Sequence, residues 1–247
     1  MNDEAIPAAT LVVWRDGADG PEILVVERSA RMAFAAGAIV FPGGRVDQAD
    51  RELANLLGRA DEAPKITAIR ETVEETGIVS GIAGTSDPAL GLQLQAALHS
   101  GRDLATLLRE HGLELDLDAL TPFARWMPAF KQPRKFDTLF YLTPAPAGEW
   151  VPRPQEGECV AAEWTGPADM LDRIAHGEAS AIFPTKRNLE RLATHHSFSA
   201  ALADARNHSI ETIIPWVEEI DGEPHVRIPE GRGYPIISEP LATAFRA

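Results

Sequence analysis

The sequence predicts an α/β (α+β) fold in one domain, and three observations carry that expectation. Apolar runs of strand length alternate with amphipathic runs of helix length. No linker-like stretch and no repeat of 20–50 residues divides the chain. At 247 residues, a chain buries roughly 70–75% of its unfolded surface, so one core forms without disulfide or metal staples.

The elements follow in order. Residues 8–14 read as a strand, stopped by a turn cluster from Arg15 to Pro21. Residues 22–27 give a second strand, whose continuous run Ile23, Leu24, Val25, Val26 suggests cover on both faces. Residues 38–41 form a short third strand, stopped by Pro42, Gly43 and Gly44. Residues 64–76 read as a helix, with Pro64 in its first turn and Gly77 past its end. Residues 88–111 are helical with a break near Ser100 and Gly101, and residues 121–128, 137–143 and 160–164 are strands. Residues 168–176 form a helix closed by Gly177, and residues 185–206 one long helix after Pro184. Residues 210–218 and 224–228 suggest a hairpin about Asp221 and Gly222.

Composition excludes several classes. The chain carries 23 Lys+Arg against 37 Asp+Glu, a net charge of −14, which argues against a broad nucleic-acid footprint. No apolar run approaches the ~20 residues that span a bilayer. The acidic start (Met1, Asn2, Asp3, Glu4) lacks the basic region of a signal peptide. Cys159 is the single cysteine, so no intrachain disulfide and no Cys-rich zinc site is expected. A cytoplasmic protein with no nucleic-acid and no membrane partner is the expectation. If the substrate is anionic, something must offset the carboxylates.

The informative segments are Phe41-Pro42-Gly43-Gly44 and the run from Arg70 to Ile78. On a helix, Glu71, Glu74 and Glu75 share one face, since residues three and four apart are neighbours. Like charges at that spacing destabilise a bare helix by roughly 0.2–0.5 kcal/mol per pair. A hard divalent cation reverses the sign, and Mg²⁺ favours a few carboxylates plus phosphate oxygens. Ile66, Ile69 and Val73 form an apolar face. Arg70, four residues before Glu74, can hold that side chain in place. Read alone, the acidic face is most simply a solvated helix surface. The upstream glycines favour a ligand, because they let backbone approach it closely.

Together these residues resemble the Nudix box, in which a glycine and a glutamate precede Arg-Glu-U-x-Glu-Glu-x-Gly-U, with U aliphatic. Gly44, Arg70, Glu71, Glu74, Glu75, Gly77 and Ile78 match. Asp50 stands at the first glutamate, Thr72 at an aliphatic position, and 19 residues separate Asp50 from Arg70 where the pattern has seven. Arg28-Ser29 and the stretch from Gly37 to Gly44 are similar to the signature of Nudix enzymes that cleave coenzyme A. The interrupted box, the stretch from Arg134 to Thr138 and the stretch from Ile182 to Thr185 look like the animal peroxisomal coenzyme A diphosphatases.

The resemblance implies a Nudix fold: a mixed curved sheet sandwiched between helices, with added helical segments. It implies an insertion at about 51–63, which lengthens the loop ahead of the helix, a helical insertion at about 88–111 and a C-terminal extension from about 185. The implied activity is metal-dependent hydrolysis of a nucleoside diphosphate linked to X. Coenzyme A or acyl-CoA is the leading substrate, giving 3′,5′-ADP and 4′-phosphopantetheine or its acyl form. ADP-sugars, dinucleotides or nucleoside triphosphates are a second reading, and a non-catalytic nucleotide-binding regulator is a third. The implied cofactor is Mg²⁺ or Mn²⁺, held by Glu71, Glu74, Glu75, the Gly43 carbonyl and Glu158, with Glu156 a rival. The implied catalytic residues are Glu71, Glu74, Glu75 and Arg70, and Glu71 is either ligand or base. Arg28, Gly44, Arg134 and Lys135 would bind substrate, with Arg31 and Lys131 as further cations. A monomer or homodimer acting on a small-molecule nucleotide is expected. His195 and His196 read as surface residues and Cys159 as inert packing. The five tryptophans read as core or interface. Lys186 and Arg187, which open a helix, read as solvent-exposed.

Overall fold

In the computed structural model, residues 5–32, 35–128 and 135–244 are described. The strand β1, Ile6–Gly17, runs through the middle of the fold. Its residues alternate faces with the two-residue period of a strand. Ala9, Leu11 and Val13 enter one core, and Val12 and Trp14 enter another. The chain returns antiparallel as β2, Gly20–Arg28, in which Ile23 to Val26 are fully buried as the apolar run predicts. Next come β3 (Ile39–Val40) and β4 (Gly43–Arg45). Both β2 and β4 lie on the same edge of β1, at different positions along it.

Helices α1 (Gln48–Leu56) and α2 (Ala63–Thr76) follow. The stretch expected to be only a longer loop before α2 is thus largely helical. Asp47 and Asp50 form a capping box that starts α1, the device that fixes a helix N-terminus. A short pair of strands, β5 (Ile82–Ala83) and β6 (Glu114–Leu115), brackets helices α3 (Pro88–His99) and α4 (Leu104–His111). The break at Ser100 and Gly101 falls between those helices, as expected.

Strands β7 (Thr121–Trp126), β8 (Phe136–Pro144) and β9 (Cys159–Thr165) complete most of the large sheet. Helices α5 (Pro167–Ala175), α6 (Phe183–Leu192) and α7 (Phe198–Asn207) follow. The expected single helix over 185–206 is two helices. Ser197 interrupts it with extended backbone and accepts a hydrogen bond from the Ala200 amide at 3.3 Å, an N-cap that starts α7 anew. Strand β10 (Thr212–Ile213) joins the edge of the large sheet. Strands β11 (Trp216–Ile220), β12 (Glu223–Arg227) and β13 (Ser238–Pro240) form a small antiparallel sheet, turning at Asp221 and Gly222 as expected, before α8 (Leu241–Ala244).

The large sheet has eight strands in the order β10-β7-β8-β1-β2-β3, with β4 on β1 and β9 on β2. It is mixed: β1 with β8 and β7 with β10 are parallel, and its other pairings are antiparallel. Helices α2, α3 and α4 cover one face around Ile66, Ile69, Val73, Leu94 and Leu107. Helices α5, α6 and α7 and the small sheet cover the other, around Phe123, Trp126, Leu189, Leu192 and Val226. This is the α/β fold the sequence predicts, with helices on both faces of a mixed sheet.

Candidate active site

Helix α2 presents the carboxylates. Its apolar residues are buried against β1, and Gly77 ends it in the left-handed conformation (φ 74°), which favours glycine. Thr72, where the resemblance has an aliphatic residue, is fully buried. Its hydroxyl donates to the Ala68 carbonyl at 2.7 Å, so the polar atom is satisfied within the helix.

The glycine turn makes room for those carboxylates. The Gly43 amide donates to Glu75 Oε2 at 3.1 Å. A Cβ on Gly44 would overlap the Glu71 carboxylate, so any larger residue would push that carboxylate from its present position. Burial is the largest cause that pushes Glu71 up to about 7, with Arg70 opposing it. Burial, then repulsion from Glu71, raises Glu75 well above the usual carboxylate range, against the attraction of Arg28.

Arg70 is the hub behind the pair. It grips Asp50 through two hydrogen bonds, Nε to Oδ1 at 2.9 Å and Nη2 to Oδ2 at 3.0 Å. It also contacts Glu71 at 2.9 Å and Glu74 at 3.2 Å. Asp50 is itself buried and accepts from Thr67 Oγ1 at 2.8 Å and from the Asp47 amide at 3.1 Å. The interruption between Asp50 and Arg70 therefore leaves their contact intact, because α1 and the turn after it fold back along α2.

Glu71 and Glu75 line a cavity of about 480 Å³ together with Arg28, Gly43, Gly44 and Glu158. That volume lies in the range of small-molecule sites. Arg28 Nη1 is 3.9 Å from Glu75 Oε1. Glu158 is exposed at the cavity rim, whereas Glu156 does not line it. Glu74 lies outside the lining, with its carboxylate on Arg70. Among the described residues no three Asp, Glu, His or Cys side chains converge closely enough to hold a metal ion. The donor set nevertheless suits one: half-buried Glu71 and buried Glu75 are two oxygen donors, each disfavouring the other's charge, and a cation relieves both. Mg²⁺ is commonly held by one or two carboxylates plus substrate phosphates.

Other expected residues fall elsewhere. Lys135 precedes Phe136, which lines the cavity, but does not itself line it. Arg134 and Lys131 lie outside the described residues. Arg31 is exposed. Arg187, expected in solvent, is only 1% exposed and pairs with Glu190 and Glu239, while Lys186 also meets Glu239. Their tertiary partner, β13, is distant in sequence. His196 is exposed, and His195 sits half-buried beside Asp204. Cys159 is buried, and burial pushes its thiol up to about 12, which fits inert packing. Four of the five tryptophans are largely covered, whereas Trp216 is 39% exposed. Sequence reasoning missed the apolar wall of the cavity, including Trp126, Phe136, Phe140 and Phe183. No local motif marks these residues; strand register brings them together.

The Nudix domain family model matches residues 5–89. A Nudix hydrolase structure from Alicyclobacillus acidocaldarius is 36% identical, covers 81% of this chain and 97% of its own, and superposes with a TM-score of 0.70. The chain belongs to the Nudix hydrolase family, enzymes that act on pyrophosphate bonds. Among named relatives, the acyl-coenzyme A diphosphatase NUDT19 of Homo sapiens is 26% identical over 85% of this chain and 71% of its own. The protein of the same name from Gallus gallus is 27% identical over 79% of this chain and 67% of its own. Among the described residues no helix is long and apolar enough to cross a membrane.

Proposed function

We propose that this chain hydrolyses the diphosphate of coenzyme A or acyl-CoA, giving 3′,5′-ADP and 4′-phosphopantetheine or its acyl form, with Mg²⁺ or Mn²⁺. The observation that carries the reading is the Glu71–Glu75 pair at the glycine turn, beside Arg28 in one cavity. Similarity to acyl-coenzyme A diphosphatases over most of the chain supports the choice of substrate.

Glu71, Glu75, Glu158 and the Gly43 carbonyl are the residues that would hold the cation. Glu74, three residues from Glu71 on the same helix, would join them only by turning its carboxylate away from Arg70. A cation held there would neutralise the diphosphate and make an attacking water more acidic. Glu71, facing the cavity, acts as ligand or takes the proton from that water. Arg70 fixes the rotamers of Glu71 and Glu74, and Asp50 fixes Arg70. Arg28, 3.9 Å from Glu75, offsets phosphate charge. Gly44 lets the substrate approach the backbone. Lys135, next to the cavity-lining Phe136, is a cation for the 3′-phosphate of coenzyme A, which lies outside the reacting diphosphate. The single cysteine fits a cytoplasmic setting.

The test is mass spectrometry of products from a panel of coenzyme A, ADP-ribose, diadenosine polyphosphates and nucleoside triphosphates, with Mg²⁺ or Mn²⁺. The expected products are 3′,5′-ADP and 4′-phosphopantetheine. Cleavage confined to another member moves the substrate class. Binding without turnover of any member overturns the enzymatic reading.

A further inference from the structure

Sheet register fixes a distance across the cavity. Arg45, Ala8, Thr138 and Trp126 are successive cross-strand partners on β4, β1, β8 and β7. All four line the cavity. Three strand spacings of about 4.8 Å separate β4 from β7, so Trp126 stands about 14 Å from the glycine turn. The cavity is therefore a trough across the sheet with unlike ends. At the β4 end stand Gly43, Gly44, Glu71 and Glu75. At the β7 end stand Trp126, Met127, Phe183 and Pro215.

The indole donor of the far end is already engaged. Trp126 Nε1 donates to Tyr234 Oη at 3.0 Å, and Tyr234 Oη donates to Asn188 Oδ1 at 2.7 Å. Phe183 packs edge-on against the same indole, with ring centroids 6.1 Å apart. Trp126 is thus a fixed apolar wall whose one donor is spent inside the protein. A nucleobase edge placed there would lose its hydrogen bonds to water, whereas a saturated chain loses none. A charged diphosphate at one end and an aromatic wall at the other call for a substrate with both characters.

We propose that the far end seats the acyl chain of the substrate against Trp126, Met127, Phe183 and Pro215, and that this wall favours acyl-CoA over free coenzyme A. The inference rests on the coenzyme A reading above and deepens it. The reach agrees. A pantetheine arm has about twelve chain atoms, as many as four amino-acid residues, and spans about 14 Å when extended. With the diphosphate at Glu71 and Glu75, the thioester arrives beside Trp126 and the chain beyond it meets the aromatic wall. The wall residues all lie beyond the stretch 5–89 that matches the family model, so chain-length preference is set outside the box.

The experiment is a chain-length series from acetyl-CoA to decanoyl-CoA beside free coenzyme A, run two ways. Turnover is read as kcat/KM relative to free coenzyme A within each protein preparation. Binding is read by calorimetry in EDTA, without turnover. Affinity should rise about fourfold per buried methylene until the chain meets the wall. Trp126→Phe should move the optimum to longer chains and Met127→Trp to shorter ones, each changing the longest-to-shortest ratio at least tenfold. Met127 is only partly buried, so its variant serves if Trp126→Phe does not fold. Kd and kcat/KM within twofold of free coenzyme A throughout, unchanged in the variants, would overturn the acyl seat while leaving the diphosphatase reading intact. Chain-dependent binding with no coenzyme A compound cleaved would uphold the seat and overturn the diphosphatase reading.

Discussion

Helices α2 and α6 lie on opposite faces of the same sheet, and both bury charge. They do so in opposite ways. On α6, Arg187 pairs with Glu190 at 2.6 Å and with Glu239 at 2.9 Å, and Arg191 pairs with Asp204 at 2.7 Å. Arg191 also donates to the Phe123 carbonyl at 2.9 Å and lies over the Phe123 ring. On α2, Glu75 faces another carboxylate, Glu71, and its nearest cation is Arg28 at 3.9 Å. Burial raises a carboxylate to about 7 on each helix, Glu71 on one and Glu190 on the other. A raised carboxylate is therefore no marker of chemistry by itself. Like-charged neighbours open to a cavity distinguish α2, while oppositely charged neighbours packed in protein distinguish α6.

Substitutions at four residues sharpen that contrast. Glu75→Gln should lower kcat/KM about 10³–10⁴-fold, roughly 4–5.5 kcal/mol of transition-state stabilisation. Its thermal midpoint should hold or rise, since a repulsive pair loses one charge. A falling midpoint with wild-type turnover would remove Glu75 from the site. Arg187→Met should do the reverse, because it strands Glu190 and Glu239. Denaturant unfolding should show a loss of about 3–5 kcal/mol, as for other broken buried pairs. Stability within 1 kcal/mol of wild type would mean that α6 does not depend on its ion pairs.

Asp50→Asn comes next. It replaces an acceptor of the Arg70 fork, and positioning partners of metal ligands typically matter 10–100-fold. Activity should fall in that range with far-UV circular dichroism unchanged, and Asp50→Glu should recover part of it. The smallest effect concerns pH. The folded pKa of Glu190 is raised by burial, so its protonated form is favoured in the native state. Its stabilising effect is full below the unfolded value of about 4.3 and is lost as pH rises to about 7. Melting curves of Glu190→Gln should fall less steeply over that interval than those of wild type. Parallel curves would show that Glu190 is charged in the folded protein.

Most of the acidic half of the candidate site is legible in the sequence, and for local reasons. Helical period places Glu71, Glu74 and Glu75 on one side, Gly77 must end the helix, and two glycines must open the turn. The carboxylates that an anionic substrate would have to see offset include the Glu71–Glu75 pair, for which the proposed cation would be the offset. The departures at Asp50 and Thr72 are also accounted for locally: the shorter acid still reaches Arg70, and the threonine hydroxyl closes on its own helix. The misreadings arise where partners lie far along the chain. Residues 185–206 carry one helical period, but Ser197 caps a second helix. The basic start of α6 looks solvated, yet Arg187 is buried by β13, about fifty residues later. Residues 51–63 look like a loop, yet the Asp47–Asp50 capping box starts α1 ahead of them.

The sequence by itself determined the family, the order of the main elements and the acidic helix with its glycine turn, because these depend on contacts within a few turns of chain. Only the tertiary structure decided which cations are buried and which carboxylates share a cavity. It also decided that Trp126 stands across three strands from the glycine turn. Strand register and the packing of distant helices decide those relations, and neither leaves a periodic trace in the residues that obey it.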